Sequence, residues 1–237
     1  SDKLHDELTK SFIDKKISIL SRSLKQDMVL NTKINNENKI HIDGQLIGEL
    51  KGLKFIIELT SKTLDTDIKS IKKAARKGVV EELNKRVNKI IDEKNIKIDN
   101  TNKIIWNNHP IARLKKGYNY LNPEIDIIVD ESLEIETRSS LENFLKKWIN
   151  SYINDILGDL INLTKQKIEN QYLRALVFQL YEKNGVIKRS EIDNIVKLIP
   201  PEERKKLWGM GIKLGRYHIY LPKMLKPKAV EFRVSLW

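Results

Sequence analysis

Apolar residues recur at spacings of three and four over residues 2–25. Leu4, Leu8, Phe12, Ile13, Ile17, Leu20 and Leu24 line one face, which predicts an amphipathic helix. Residues 26–37 are polar and Asn-rich and read as a connector. Short apolar runs with turn pairs between them then replace the helical period. Asn38-Lys39-Ile40-His41-Ile42-Asp43-Gly44-Gln45-Leu46-Ile47-Gly48-Glu49-Leu50-Lys51 aligns without gaps on Asn102-Lys103-Ile104-Ile105-Trp106-Asn107-Asn108-His109-Pro110-Ile111-Ala112-Arg113-Leu114-Lys115, with six identities. Asp43-Gly44 and Asn107-Asn108 fall between the runs and tolerate the positive φ of a two-residue hairpin turn. A third β-rich run follows each hairpin, Leu53–Ile57 and Ile125–Val129. A long helical stretch follows each third run, from about Asp67 to Glu93 and again from near Leu133. The pattern predicts a ββ-β-α unit that occurs twice, 64 residues apart by the alignment. Pro110 replaces Leu46, and a proline within a strand points to an edge strand.

The second helical stretch carries a wide apolar face: Leu141, Phe144, Leu145, Trp148, Ile149, Tyr152, Ile153, Ile156, Leu157, Leu160, Ile161 and Leu163. Such width means burial on more than one side. A further helix with Leu173, Leu176, Val177, Leu180 and Tyr181 on one face ends at Asn184-Gly185. Ser190 reads as the cap of a short helix through Leu198, and Pro200-Pro201 opens another through Trp208. Gly211 to Pro222 is β-rich, and a last helix or strand follows Pro227. From about Ile168 to Leu221 the order, three helices and then a hairpin through Gly215, permits a winged-helix reading, as it does for many small modules.

The expected fold is therefore α+β, with two related repeat units and a mostly helical C-terminal subdomain. The expected divisions are residues 1–37 (helix and connector), 38–100 (first unit), 101–167 (second unit) and 168–237 (helical, basic).

Composition narrows the function. Apolar residues make up 40% of the 237, too many for a disordered chain. No run of about 18 apolar residues predicts a membrane span. Cysteine is absent, which excludes disulfide scaffolds, Cys-ligated zinc and thiol nucleophiles. The expectation is a cytoplasmic protein. The formal charge is +12, but with 34 Lys against 10 Arg the excess resembles drift toward AT-rich codons. Its location says more: residues 183–237 hold 13 Lys/Arg and 5 Asp/Glu, a net +8, which leaves +4 for the first 182.

Motifs for phosphate-loop, metal and hydrolase chemistry are missing. No Gly-x-x-x-x-Gly-Lys-Ser/Thr occurs. Ile125–Glu131 superficially resembles a strand ending in a magnesium-binding acidic pair. Without a phosphate loop, the plainer reading is a strand followed by acids near a helix N-terminus. His5, His41, His109 and His218 show no metal spacing. Lys69, Lys72, Lys73, Arg76 and Lys77 form a basic stripe on one helix side, either phosphate-tracking or simply solvated. In the C-terminal region Arg204, Lys205, Lys206, Lys213, Arg216, Lys223, Lys226 and Lys228 interleave with Trp208, Tyr217, His218 and Tyr220. Cations with aromatics suit single strands, though the same rings could be core. Arg216 stands out because a chain that drifts to Lys keeps an Arg where a bidentate guanidinium is needed. Arg113, Arg174 and Arg189 invite the same argument or a structural ion pair.

Gly209 to Pro227, containing Lys213-Leu214-Gly215-Arg216-Tyr217-His218-Ile219-Tyr220-Leu221-Pro222, closely resembles a signature of bacterial helicase-related proteins. These are superfamily two, DEAD/DEAH-type helicases similar to the mitochondrial degradosome RNA helicase. Leu4–Lys16, the hairpin Asp43–Phe55 and Ile111–Leu114 carry the same resemblance in the same order, so it spans essentially the whole chain. It implies the C-terminal, non-motor region of an ATP-dependent helicase, with ATP and magnesium belonging to motor domains that the chain lacks. No catalytic residue or cofactor is expected here. The implied role is to bind or guide single-stranded nucleic acid, RNA above all, through Arg216, Lys213, Tyr217, Lys206, Lys226, Lys73 and Arg76. The implied partners are nucleic acid, the helicase's own motor domains and a nuclease. The alternative is a protein-interaction or bracing module that docks through an apolar face of the repeats.

Overall fold

A computed structural model describes residues 3–4, 32–42, 44–57, 65–118 and 121–235. The helix expected over 2–25 lies almost wholly outside the described residues. What is described is an α+β protein with three antiparallel sheets. It divides into two compact units. One holds residues up to 114 together with 125–144; the other holds 115–124 together with 145 onward. The first repeat falls in the first unit, whereas the second is divided, with its residues 115–124 and its helix from residue 145 onward belonging to the other.

The repeat is larger than the sequence suggests. The first sheet is a four-stranded meander: β1 (Thr32–Ile34), β2 (Lys39–Ile42), β3 (Gln45–Lys51) and β4 (Lys54–Ile57). Helix α1 (Asp65–Glu93) follows. The second sheet repeats the order with β5 (Lys97–Ile98), β6 (Lys103–Trp106), β7 (His109–Lys115) and β8 (Glu124–Ile127), then α2 (Ile135–Lys165). The unit is thus ββββα. Its first strand lies in the stretch read as a connector, because three residues are too few to show alternation.

Detail at the shared offset of 64 supports duplication. Ladder register shifts between Ile40 and His41 in one sheet, and between Ile104 and Ile105 in the other. Asn38 and Asn102 both adopt positive φ, 64° and 59°. Their carbonyls accept the N–H of Leu50 and Leu114, at 2.8 and 2.7 Å. The turn before each is closed by a short polar side chain. Asn35 Oδ1 accepts from the N–H of Glu37 (3.0 Å) and Lys39 (2.9 Å). Asp99 Oδ1 accepts from Thr101 (2.8 Å) and Lys103 (2.9 Å). Such Asx turns satisfy backbone donors that the ladder does not reach.

Alternation selects the buried face. Ile40, Ile42, Leu50 and Phe55 point inward in the first sheet, and Ile104, Trp106, Ala112 and Leu114 in the second. Ala75, Val79, Leu83, Val87 and Ile90 form the buried stripe of α1 at the helical period. The segment after β8 joins the two sheets: Ile128 N–H donates to Ile111 O at 2.8 Å, and Asp130 N–H to Leu53 O at 2.8 Å. Strand β7 is interior rather than an edge, which corrects the expectation from Pro110. The proline is tolerated because it sits beside the register shift, one residue before Ile111 takes up the bond from Ile128.

In the second unit, α2 buries Leu145, Ile149, Ile153, Leu157, Leu160 and Leu163. Tyr152 stacks on Trp148 and meets Phe232 edge-on, both at 5.6 Å between centroids. The chain then runs α3 (Gln171–Glu182), β9 (Val186–Lys188), α4 (Arg189–Leu198), α5 (Pro201–Gly209), β10 (Lys213–Leu214) and β11 (His218–Tyr220). A 3₁₀ turn (Pro222–Leu225) and α6 (Pro227–Ser235) close it. Asn170 caps α3, its Oδ1 accepting from Tyr172 and Leu173, each at 3.0 Å. Helix α4 starts at Arg189, with Lys188 at its cap and no side-chain bond there, so Ser190 is not the cap. The strand order β10-β11-β9 places the strand before α4 next to the last strand of the hairpin.

Candidate nucleic-acid interface

The three short strands of the second unit create a face that the linear sequence conceals. Lys213 pairs with Tyr220 and Leu214 with Ile219. His218 pairs with Lys188, Ile219 with Ile187 and Tyr220 with Val186. Because side chains alternate along each strand, Ile187, Leu214 and Ile219 share the inward face. Val186, Lys188, Lys213, His218 and Tyr220 share the other. Burial agrees: Ile187 and Ile219 are buried, while Lys188, Lys213 and His218 are exposed.

Trp208 borders this face. It is 69% exposed, and Lys213 Nζ lies 5.3 Å from its ring centroid. At the hairpin turn Arg216 Cζ lies 5.4 Å from the ring of Tyr217, which is also 69% exposed. Both rings are therefore available, and the reading of these aromatics as core does not hold for Trp208 and Tyr217. Two cation–π pairs thus flank β10, one from Lys213 on the strand and one from Arg216 in the turn that follows it.

The remaining expected residues divide. Lys206 is held by Glu203 Oε1 at 2.6 Å, and that hydrogen bond pushes its pKa up. Lys226 is exposed where the 3₁₀ turn meets α6, beside a cavity of about 620 Å³ lined also by Asp155, Ile156, Lys223, Lys228 and Ala229. Lys223 there is bound to Asp159 at 2.8 Å. Lys73 and Arg76 are exposed on α1, in the other compact unit. The structure thus unites Lys213, Arg216 and Tyr217 on one hairpin, and distributes the other four elsewhere.

Several arginines serve the backbone. Arg189 donates to Gly215 O (3.0 Å), Arg204 to Ile199 O (2.9 Å) and Lys197 O (3.3 Å), and Arg174 to Ile168 O (3.3 Å). Arg233 donates to Asn184 O (2.5 Å) and Met224 O (2.7 Å). Arg113 lies exposed across the strand from Lys103. Arg216 differs: among the described residues its guanidinium meets a ring and no hydrogen-bond acceptor. Of the acidic pair after β8, Asp130 is held by the backbone and Glu131 is exposed. Asp130 accepts from the N–H of Phe55 (3.2 Å) and Ser132 (2.9 Å), fixing the joint between the sheets.

Sequence reasoning missed Lys188 because β9 has only three residues. The available signal was Val186-Ile187 directly after the Asn184-Gly185 turn. Among the described residues no group of three His, Asp or Glu is placed to hold a metal ion, and no helix is long and apolar enough to cross a membrane. The outward face of the first repeat sheet is mixed. Glu49 stands opposite Ile56 and Lys51 opposite Lys54, and Leu46 is also exposed. Comparison with models of known protein families, with curated proteins and with solved structures returns no match.

Proposed function

We propose that this chain is a non-motor accessory region of an ATP-dependent helicase and that its C-terminal module binds single-stranded nucleic acid, RNA first. The observation that carries the reading is the exposed sheet face of Lys188, Lys213, His218 and Tyr220, bordered by Trp208. Lysines at that density track phosphates while rings stack on bases of any identity. The α-β-α-α-β-β order with strands β10-β11-β9 supports naming the module a winged helix, with the β10–β11 hairpin as its wing.

Helix α5 occupies the place of the recognition helix in such a module. It is ill suited to reading a major groove. Its first turn carries Glu202 and Glu203, Arg204 is committed to the carbonyls of Ile199 and Lys197 and Lys206 to Glu203, which leaves Lys205 as its exposed cation. This favours the sheet face and wing over the helix as the contact surface. The helicase context and the preference for RNA rest on the resemblance of Gly209 to Pro227.

The test is titration of the chain with labelled single-stranded RNA, DNA and a blunt duplex across a salt series. Single strands should bind with log K falling linearly in log salt. Replacing Lys188 and Lys213 with Ala should flatten the slope by roughly 0.7 per lost phosphate contact. Trp208→Ala should weaken binding by about tenfold or more, the worth of one stacked base. Undetectable binding at low salt would overturn the reading, as would unchanged unwinding in the full helicase carrying Lys213→Ala and Arg216→Ala.

A further inference from the structure

We infer that Asn184-Gly185 is a latent modification site, a point of spontaneous deamidation that the folded module holds off. Conversion of residue 184 to isoaspartate then follows opening of the joint between α3, β9 and α6. The inference does not rest on the nucleic-acid reading.

The chain contains a single Asn-Gly pair. In such a pair the glycine backbone nitrogen loses its proton to solvent and attacks the asparagine Cγ. A new N–Cγ bond closes a five-membered succinimide, the bond from Cγ to the side-chain nitrogen breaks, and ammonia leaves. Water then opens the ring at either carbonyl. One product is aspartate; the other is isoaspartate, whose main chain runs through Cγ. Water is the only co-reactant. Glycine favours the attack because no side chain shields its nitrogen.

The structure leaves the electrophile free and withholds the nucleophile. Asn184 is half-buried, and its side-chain amide makes no hydrogen bond to a described residue. Its backbone is left-handed, with φ of 58°, a region where ψ is usually about +47°. That setting puts Cβ and the Gly185 nitrogen on opposite sides of the Cα–C bond, whereas ring closure needs them on the same side. The nitrogen is also engaged. Gly185 is buried, and its N–H donates to Leu180 O at 2.7 Å, as a helix-ending glycine does. Rotation about the pair is resisted from both sides. Arg233 Nη1 on α6 donates to Asn184 O, while its Nη2 donates to Met224 O at 2.7 Å. Leu221 N–H donates to Gly185 O at 2.9 Å. Met224 packs so closely that a Cβ at 185 would come within 2.5 Å of its Cγ.

The reaction therefore needs the same opening that exposes the Gly185 N–H to solvent. Deamidation and hydrogen exchange share one nitrogen and one opening equilibrium. Arg233 is the part of the lock furthest along the chain, so loosening α6 releases both. Isoaspartate adds a main-chain carbon and a carboxylate where β9 begins. The Leu180 cap cannot re-form around it, and each opening that reacts is lost from the folded population.

The experiment incubates the full chain at mildly alkaline pH, natively and in concentrated urea. Peptide mapping and isoaspartyl methyltransferase labelling follow residue 184, and NMR follows exchange of the Gly185 N–H. The native chain should deamidate at least about tenfold more slowly than the unfolded chain, because the reactive state is a minor open one. Arg233→Lys keeps the cation but loses the fork. It should raise native deamidation and Gly185 exchange by the same factor, leave the rate in urea unchanged and keep the circular dichroism of the folded chain. Arg233→Ala should raise both further. Asn184→Gly accepts the left-handed backbone and should abolish the isoaspartate signal. Equal rates in native buffer and urea would overturn the inference. So would a deamidation rate that does not follow Gly185 exchange, or no change in either from both Arg233 variants.

Discussion

Among the described residues, Arg86 is the one charged side chain buried in the first unit, and its removal has a calculable cost. It lies on α1 and is 8% exposed. Its Nη1 donates to Gly52 O at 2.8 Å and more weakly to Leu50 O at 3.4 Å, its Nη2 donates to Asn38 Oδ1, and its Nε meets Glu82 Oε1 at 3.0 Å. One guanidinium thus ties the helix to the C-terminal end of β3, to the turn that follows it, and to the positive-φ residue before β2. Arg86→Ala strands those acceptors. Each buried polar group left without a partner costs about 1–3 kcal/mol. Breaking a buried ion pair costs about 3–5 kcal/mol, but Glu82 is partly exposed and regains water. The lower end therefore applies, near 3 kcal/mol. For a chain of this size that lowers Tm by roughly 6–12 °C. Urea unfolding followed by circular dichroism gives the magnitude. Hydrogen exchange at Leu50, whose N–H bonds Asn38 O, localises it to the first hairpin. Arg86→Lys keeps the charge but cannot fork, and should fall between. Arg76→Ala, exposed on the same helix, should stay within about 0.5 kcal/mol of wild type. An Arg86→Ala protein equally close to wild type would refute the reasoning.

Two further tests probe the repeat. Gly48 sits so close to β4 that a Cβ would lie 2.2 Å from Ile56 O, so Gly48→Ala should destabilise by at least about 1–3 kcal/mol in urea unfolding. The aligned Ala112 is accommodated because the second copy reaches its fourth strand through residues 116–123 instead of a two-residue turn, and Ala112→Gly should cost only about 1 kcal/mol. Burial pushes the Asp99 carboxyl up, yet the bonds it accepts from Lys103 and Thr101 outweigh that and leave its pKa lowered. A lowered folded pKa contributes stability above the ordinary Asp value near 3.8, and the contribution is lost as pH falls through the folded pKa. Asp99→Asn should therefore keep the turn, as Asn35 does in the first copy. Its urea-unfolding deficit relative to wild type should be present at neutral pH and vanish in acid below the folded pKa; a pH-independent deficit would count against the assignment.

Much of the fold is legible in the chain because its periods are local. The aligned hairpins, the buried stripe of α2, the Asn184-Gly185 stop with φ of 58° and 80°, and the Pro201 helix start all follow from residues near one another. The first strand of each repeat and β9 were not legible. Strands of two or three residues carry no measurable alternation and exist because a neighbouring strand supplies their hydrogen bonds. Pro110 misled for the same reason, since edge or interior is decided by β8.

The candidate interface divides along the same line. Its chemistry, a basic and aromatic C-terminus with Arg216 unlike the other arginines, was determined by the sequence, as was the absence of a phosphate loop. Which of those residues act together was decided by the tertiary structure. Strand pairing sets Lys188 beside His218 and Lys213 beside Tyr220. Ion pairing withdraws Lys206 and Lys223, and backbone carbonyls claim Arg189, Arg204 and Arg233. Charge is a property of composition, but a surface is a property of register. A shift of one residue in β10 or β9 would turn Lys213 or Lys188 inward and Leu214 or Ile187 out.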